Sequence, residues 1–300
     1  MAATTRLELG NNIMPSVKIG QANNPIFYEL STPAEPEGTV VFINAWCSSA
    51  RYWKETVKRI SSRFQTLTYD QPGIGRSLSK EKPLPATYKG TIDNGSNEAL
   101  ELIEHLELLD KPLHVVGHSL GVVIATHLAT ILESRGKLAS LTIVNCGSFE
   151  IEDRKGEILV PFIKLVVNIK RILELPGLRQ LTIRKLAARP IESSYEQIII
   201  NDMVASDIRI ARELALSSLT PVNLERYHRE VGELKAPLLL VVGDRDGTIP
   251  PKGMYNIKRF KPTAKLVPFP DCGHFLMLER PNNFAEVLLQ HLSPKVVSVC

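Results

Sequence analysis

The chain has 300 residues, 44% of them hydrophobic and 23% charged, which is ordinary for a globular protein. This composition excludes a disordered chain, a collagen-like repeat and a coiled coil, and the length fits one or two domains or a single domain with an insertion. The formal net charge of +4 is spread along the chain and gives no indication of a nucleic-acid partner.

Nothing in the sequence indicates export or a membrane span. The first residues lack a basic region followed by an apolar run, and no stretch reaches the ~18 apolar residues of a transmembrane helix. The four cysteines are scattered without a CxxC pair, so neither a zinc site nor a redox pair is indicated. We therefore expect a cytoplasmic protein with reduced thiols.

Short apolar runs alternate with helical patterns along the chain. The predicted strands cover residues 17–19, 25–30, 39–44, 65–70, 112–117, 139–145, 237–243 and 264–269, with the first two forming an antiparallel pair. The predicted helices cover residues 52–62, 94–109, 120–132 and 283–292. Strands that are apolar along their whole length are covered on both faces, and their alternation with helices is typical of a parallel sheet. The expected fold class is therefore α/β, with a mostly parallel central sheet flanked by helices.

One segment interrupts this alternation. Residues 151–233 show helical periodicity and no strand pattern, so we expect an inserted helical lid between two parts of the core, residues 1–150 and 234–300. Within the insertion, residues 158–190 contain seven Lys or Arg residues and one acidic residue. This basic segment either makes weak contact with an anionic membrane surface or forms a lid helix whose apolar face covers the substrate cavity.

The motif Gly117-His118-Ser119-Leu120-Gly121 follows an apolar strand and precedes a helical pattern. This context is typical of a nucleophile elbow, in which a tight turn presents the serine hydroxyl above the sheet. The two glycines allow the strand and the helix to approach closely, and the helix N-terminus directs free N–H groups toward an oxyanion. The pattern predicts that Ser119 is a catalytic nucleophile.

A serine nucleophile needs a base, and the base needs an acid that orients it. After an elbow of this kind the acid precedes the histidine in the chain. The loop after the strand at 237–243 offers Asp246, which we favour, and Asp244, which suits a turn or a helix cap. His274, in the loop after the last predicted strand, is the predicted base, since the remaining histidines fall within helical or strand patterns, in the elbow or in the insertion.

These residues give the chain a resemblance to the α/β-hydrolase superfamily, from about residue 15 to residue 293. The motifs that carry it are GHSLG at 117–121, YDQPGIGRS at 69–77, GDRDGTIP at 243–250 and GHF at 273–275. The resemblance implies the α/β-hydrolase fold, a Ser119–Asp246–His274 triad and no metal or organic cofactor. It also implies an oxyanion hole made by the backbone N–H groups of Trp46 and Leu120.

The loop that supplies Trp46 departs from the family pattern, because Asn44 and Ala45 stand where most relatives have His-Gly. Ala45 restricts the loop backbone, whereas Asn44 keeps a polar side chain that can brace the loop. Asn44 resembles the hydroxyacyl-transferring branch of the superfamily, and Trp46-Cys47 resembles its cofactor-free ring-cleaving dioxygenase branch. Asn44, Cys47 and Phe275 are predicted to contact the substrate.

The expected activity is hydrolysis of an ester or thioester of a fairly apolar acyl substrate, as in carboxylesterases and thioesterases. The many Ile, Leu and Val residues of the insertion favour such a small-molecule partner. Three alternatives remain: acyl transfer to a hydroxyacyl or alcohol acceptor, a cofactorless dioxygenase or C–C bond hydrolase of the same fold, and a binding module without activity.

Overall fold

A computed structural model describes residues 4–9, 12–20, 24–79, 83–148 and 175–293. Within these ranges the strands form one nine-stranded sheet. In chain order they are β1 (Thr4–Leu9), β2 (Asn12–Ile19), β3 (Asn24–Ser31), β4 (Thr39–Ile43), β5 (Gln65–Tyr69), β6 (Leu113–His118), β7 (Leu138–Val144), β8 (Leu238–Gly243) and β9 (Lys265–Phe269).

The spatial order of the strands is β1-β2-β3-β5-β4-β6-β7-β8-β9. The pairs from β1 to β5 along this order are antiparallel, and every later pair is parallel. All residues of β4, β6 and β8 are buried, as expected for strands covered on both faces. The predicted α/β fold with a mostly parallel sheet and an antiparallel entry pair is confirmed.

Helices cover both faces of the sheet. In chain order the described ones are α1 (Lys54–Ile60), α2 (Ile92–His105), α3 (Gly121–Ser134), α4 (Pro176–Leu186), α5 (Ser193–Ala205), α6 (Ile208–Ser218), α7 (Pro221–Glu233), α8 (Lys252–Phe260), α9 (Leu276–Glu279) and α10 (Pro281–Leu292). One apolar core lies between the sheet and helices α2, α3 and α8, and a second lies between the sheet and helices α1, α9 and α10.

Three elements were not predicted from the sequence, and two helices end earlier than expected. Strand β1, helix α8 and the four-residue helix α9 had no predicted counterparts, and α8 buries only two apolar side chains, Met254 and Ile257. The helix predicted at 52–62 begins as a 3-10 turn at Ala50–Trp53, and the one predicted at 94–109 ends at His105. In the second case Glu107 takes a left-handed backbone conformation with φ 55°, which stops a right-handed helix.

Between β7 and β8 the described residues 175–233 form helices α4 to α7 and no strand. The proposed division at residues 150 and 233 stays a prediction, and residues 149–174 lie outside the described part of the chain. About half of the basic segment, residues 158–174, also lies outside it; the described half includes α4, where Leu181 is 64% exposed. The predicted contact with a membrane surface stays a prediction. Among the described helices, none is both long enough and apolar enough to cross a bilayer.

Candidate active site

Ser119 occupies a tight turn between β6 and α3. Its backbone has φ 53°, a conformation that non-glycine residues rarely adopt, and its N–H donates to the Val144 carbonyl oxygen at 2.9 Å. A Cβ at Gly121 would lie 2.0 Å from the Asn44 carbonyl oxygen, and one at Gly117 would lie 2.6 Å from the Ala125 Cβ. Only glycine fits at both positions, so these two residues make the turn possible.

The structure brings Ser119, His274 and Asp246 together. His274 Nε2 lies 2.9 Å from Ser119 Oγ, and His274 Nδ1 lies 2.7 Å from Asp246 Oδ2. The other carboxylate oxygen of Asp246 accepts the N–H groups of Thr248 at 2.8 Å and Ile249 at 2.9 Å. Because a carboxylate accepts hydrogen bonds, Nδ1 carries the proton and Nε2 is left to accept the proton of the serine hydroxyl.

Asp244 and Asp246 lie in the same loop but have different surroundings. Asp246 is 7% exposed and contacts His274, whereas Asp244 is exposed and its backbone N–H donates to the Phe269 carbonyl oxygen at 3.2 Å. The arrangement therefore joins Asp246, and not Asp244, to the imidazole.

Two buried side chains that the sequence analysis did not select hold the His274 backbone. His118 Nε2 and Asn145 Nδ2 both donate to the His274 carbonyl oxygen, each at 2.8 Å. Burial lowers the pKa of His118 well below its ordinary value, so this ring is a neutral donor. Asn145 also accepts the Gly243 N–H at 2.8 Å and thereby joins the end of β8 to the histidine loop. A signal for Asn145 exists in the sequence, because asparagine after a strand tolerates the left-handed conformation it adopts here, with φ 48°.

Glu279 is a third residue that supports this loop. Its two carboxylate oxygens accept the Gly273 N–H at 3.0 and 2.9 Å, and one of them also accepts the Arg189 N–H at 2.9 Å. Burial raises the pKa of Glu279, and these backbone donors oppose the shift. His274 N–H donates to the Leu186 carbonyl oxygen at 2.7 Å, so the inserted helices and the histidine loop are joined directly.

Residues 44–49, which we call the oxyanion loop, follow β4. Asn44 Nδ2 donates to the Tyr69 carbonyl oxygen at 2.6 Å, and Asn44 Oδ1 accepts the Trp53 Nε1–H at 2.9 Å. Both polar atoms are therefore used inside the protein, where they brace the loop. The contact between Gly121 and the Asn44 carbonyl places the start of the loop beside the turn that carries Ser119.

The two predicted oxyanion donors lie on this loop and on the elbow. Leu120 directly precedes the first residue of α3, and Trp46 is half-buried in the middle of the oxyanion loop. Within the described part of the chain, the backbone N–H groups of both residues donate to no other group. Their role toward an oxyanion stays a prediction.

Cys47 and Phe275, the other predicted substrate contacts, are both buried. Cys47 is 3% exposed, with a left-handed φ of 53°. Phe275 packs edge-on against Tyr52 with ring centroids 5.3 Å apart, and its ring lies 5.5 Å from that of His274. This places Phe275 as a support for the imidazole, while the substrate contacts of both residues stay predictions.

The comparison with protein families identifies the family of the chain. The model of the Alpha/beta hydrolase family matches residues 40–287, which is most of the chain. The chain belongs to this family. The chain is also similar to three known proteins.

It is 20% identical to the monoacylglycerol lipase ABHD6 of Bos taurus, over 85% of this chain and 75% of that protein. It is 23% identical to the pimeloyl-[acyl-carrier protein] methyl ester esterase of Vibrio vulnificus, over 83% of this chain and 92% of that protein. Its fold is similar to that of the bromoperoxidase from Bacillus anthracis, with a TM-score of 0.74 and 19% identity over 97% of this chain and 99% of that one. The chain is therefore an α/β hydrolase with lipase-like and esterase-like relatives.

Proposed function

We propose that this α/β hydrolase cleaves an ester or thioester of a fairly apolar acyl group through an acyl-enzyme on Ser119. One observation carries the proposal: a continuous hydrogen-bonded series runs from Ser119 Oγ through the His274 imidazole to the Asp246 carboxylate. The three residues follow β6, β9 and β8, at the carboxyl ends of parallel strands where α/β sheets carry their ligand sites.

In the first half of the reaction Ser119 Oγ attacks the substrate carbonyl carbon and its proton passes to His274 Nε2. The tetrahedral oxyanion accepts hydrogen bonds from the backbone N–H groups of Trp46 and Leu120, and one such donor is typically worth about 2.7–4 kcal/mol. His274 then gives its proton to the alkoxide or thiolate that leaves. In the second half water attacks the acyl-enzyme, passes a proton to His274 and releases the acid, and Ser119 recovers its proton. Asp246 stabilises the imidazolium in both halves.

The inserted helices support an apolar acyl group. Helix α5 packs Ile199 and Ile200 into the same apolar core as Phe275, whose ring lies 5.5 Å from that of His274. Apolar surroundings of this kind favour hydrocarbon over charged substrate groups. The names of the lipase and the methyl ester esterase that resemble this chain point to the same bond type.

Two of the alternatives rested on residues of the oxyanion loop. Asn44, which suggested acyl transfer, spends both polar atoms on Tyr69 and Trp53 and offers none to an acceptor. Trp46-Cys47, which suggested dioxygenase chemistry, stays a likeness in sequence. Product analysis with competing alcohols tests acyl transfer, and oxygen uptake with an aromatic hydroxy-heterocycle tests the dioxygenase.

The test of the proposal is Ser119→Ala, measured on p-nitrophenyl esters and thioesters of several acyl chain lengths. Loss of the nucleophile is expected to lower kcat by roughly 10⁴-fold or more, by analogy with the removal of other serine nucleophiles. Ser134→Ala, at an exposed serine that ends α3, the helix after Ser119, is the matched control and should retain wild-type turnover. Turnover that is unchanged in Ser119→Ala would reject the proposal.

A further inference from the structure

The inserted helices hold the oxyanion loop at two points. Trp46 Nε1–H donates to the Ala211 carbonyl oxygen on α6 at 2.7 Å. Three residues later, the Ser49 N–H donates to Asp202 Oδ2 on α5 at 3.0 Å. The segment that carries the predicted Trp46 N–H donor is thus tied to two different helices of the insertion.

Asp202 is an unusual residue for a helix that covers a core. It is 2% exposed, and its second oxygen lies 2.5 Å from Arg51 Nη2. Burial raises the pKa of Asp202, and the Arg51 guanidinium opposes that shift. Only the carboxylate of this pair is buried, because the Arg51 side chain is 35% exposed. An ion pair with a solvent-exposed partner adds little to stability, so the pair is poorly explained by stability alone. The Asp202 carboxylate does supply an acceptor that is oriented toward the Ser49 N–H.

A second carboxylate, which belongs to the core, accepts the N–H of the residue after Ser49. Ala50 N–H donates to Asp70 Oδ1 at 2.6 Å. Asp70 is fully buried and is itself fixed by the Arg76 N–H at 2.7 Å and the Arg76 Nε at 2.9 Å. The last amide of the oxyanion loop, Ser49 N–H, therefore binds a carboxylate of the insertion, and the next amide, Ala50 N–H, binds a carboxylate of the core. Because Asp70 is fixed within the core, the attachment of Ala50 does not depend on the insertion, whereas the attachment of Ser49 to Asp202 depends on how α5 is seated.

We propose that Asp202 is a positioning residue that sets the oxyanion loop through the Ser49 N–H, so that the oxyanion site is complete only when helix α5 is seated on the core. This inference rests on the proposed function and adds a residue to it. Asp202 touches no reacting atom and acts through Ser49, three residues from Trp46. A misplaced oxyanion donor weakens binding of the transition state more than binding of the substrate, so its signature is a lower kcat at nearly constant KM.

The experiment compares Asp202→Ala with Glu213→Ala. Glu213, on α6, is also a carboxylate of the insertion that accepts a core backbone N–H, that of Gly90 at 2.9 Å, but it does not contact the oxyanion loop. With a p-nitrophenyl ester we expect Asp202→Ala to lower kcat by about 10- to 100-fold, the size of effect that a displacement of about 1 Å can produce. Its KM should stay within about 3-fold, and Glu213→Ala should keep both constants within the same limit. A loss that merely reflected loosening of the insertion would appear in both variants.

A readout independent of turnover comes from the two tryptophans, Trp46 and Trp53. Trp53 is 1% exposed, so acrylamide quenching of fluorescence reports mainly on the half-buried Trp46. We expect quenching to increase in Asp202→Ala and to stay at the wild-type level in Glu213→Ala. Asp202→Asn keeps an oxygen that can accept the Ser49 N–H, and it should recover most of kcat and of the protection from quenching.

Several outcomes would overturn the inference. Asp202→Ala with wild-type kcat and quenching, or with losses no larger than those of Glu213→Ala, shows that Asp202 does not position the loop. If Asp202→Ala does not fold by circular dichroism, Asp202→Glu takes its place, because it keeps the charge opposite Arg51 and displaces the carboxylate from Ser49 by one methylene. Wild-type kcat in that variant overturns the inference equally. Ser119→Ala is assayed alongside, because its result separates the two proposals. If Ser119→Ala retains turnover, the proposed function is wrong. If Ser119→Ala is inactive and Asp202→Ala is fully active, only the proposed role of Asp202 is wrong.

Discussion

One carboxylate oxygen of Asp246 accepts a backbone N–H of its own loop, and the other contacts His274 Nδ1. The contact with His274 determines which imidazole nitrogen faces Ser119. In Asp246→Asn the amide can donate to Nδ1 and favour the wrong tautomer, so we expect kcat to fall by roughly 10⁴-fold with little change in KM. Asp244→Asn is the matched control, since Asp244 is exposed two residues away. Steady-state kinetics of both variants check this, and a larger loss in Asp244→Asn would contradict it.

At the residue scale the sequence predicted the chemical groups but not the residues that support them. Ser119, Asp246 and His274 were predictable because each carries a short motif at a strand end. Asn145 gives only a weak signal, as an asparagine directly after a strand, and Glu279 and Asp202 give none, because no fixed spacing connects them to the loops that they hold. Their partners are backbone groups that are distant in sequence, such as the Ser49 N–H for Asp202.

At the element scale, the approach of α3 to the oxyanion loop depends on the absence of a side chain at Gly121. A methyl group there would meet the Asn44 carbonyl, which belongs to the backbone and cannot rotate away. We expect Gly121→Ala to lower the free energy of unfolding by at least about 1–3 kcal/mol, the usual cost of overpacking.

Gly232→Ala is the control for this change, because a Cβ at Gly232 in α7 meets no atom within 4 Å. It should raise the free energy of unfolding by roughly 0.5–1 kcal/mol, the usual gain from replacing a helical glycine. Urea unfolding of both variants measures the two effects. A Gly121→Ala protein as stable and as active as the wild type would refute the close packing of α3 on the loop.

Prediction of elements succeeded where strands are buried on both faces and failed where the pattern is short. β4, β6 and β8 are wholly buried, so their sequences are continuous apolar runs. Helix α8 has only nine residues and buries two apolar side chains, Met254 and Ile257, so its apolar face is short. The helical nature of residues 175–233 was predictable from periodicity, but the contacts of these helices with the site depend on packing that the sequence does not encode locally.

At the scale of the whole molecule, Glu98 gives the stability a pH dependence. It is 2% exposed on α2, burial raises its pKa from 4.5 to about 8, and Tyr88 Oη–H donates to it at 3.1 Å. Between these two pKa values the folded state holds a proton that the unfolded state has released. The free energy of unfolding therefore falls as pH rises, by up to about 1.4 kcal/mol per pH unit from this group.

We expect Glu98→Gln to flatten this dependence between about pH 6.5 and pH 8. The window avoids the buried His114, whose pKa is lowered to about 4 and whose contribution to stability is lost only as pH falls below 6.5. Glu104→Gln, an exposed position on the same helix, should keep the wild-type slope. Urea unfolding at several pH values checks this, and equal slopes in the two variants would show that Glu98 is ionised in the folded protein.

The central claim is that Ser119 carries the acyl group during turnover. Its most direct measurement is the intact mass of the protein quenched during reaction with a slowly hydrolysed p-nitrophenyl ester, followed by mapping of the labelled peptide. The account predicts a gain equal to one acyl group, located on Ser119 and absent from Ser119→Ala. Product formation with no adduct on the chain, or an adduct on another residue that persists in Ser119→Ala, would contradict it.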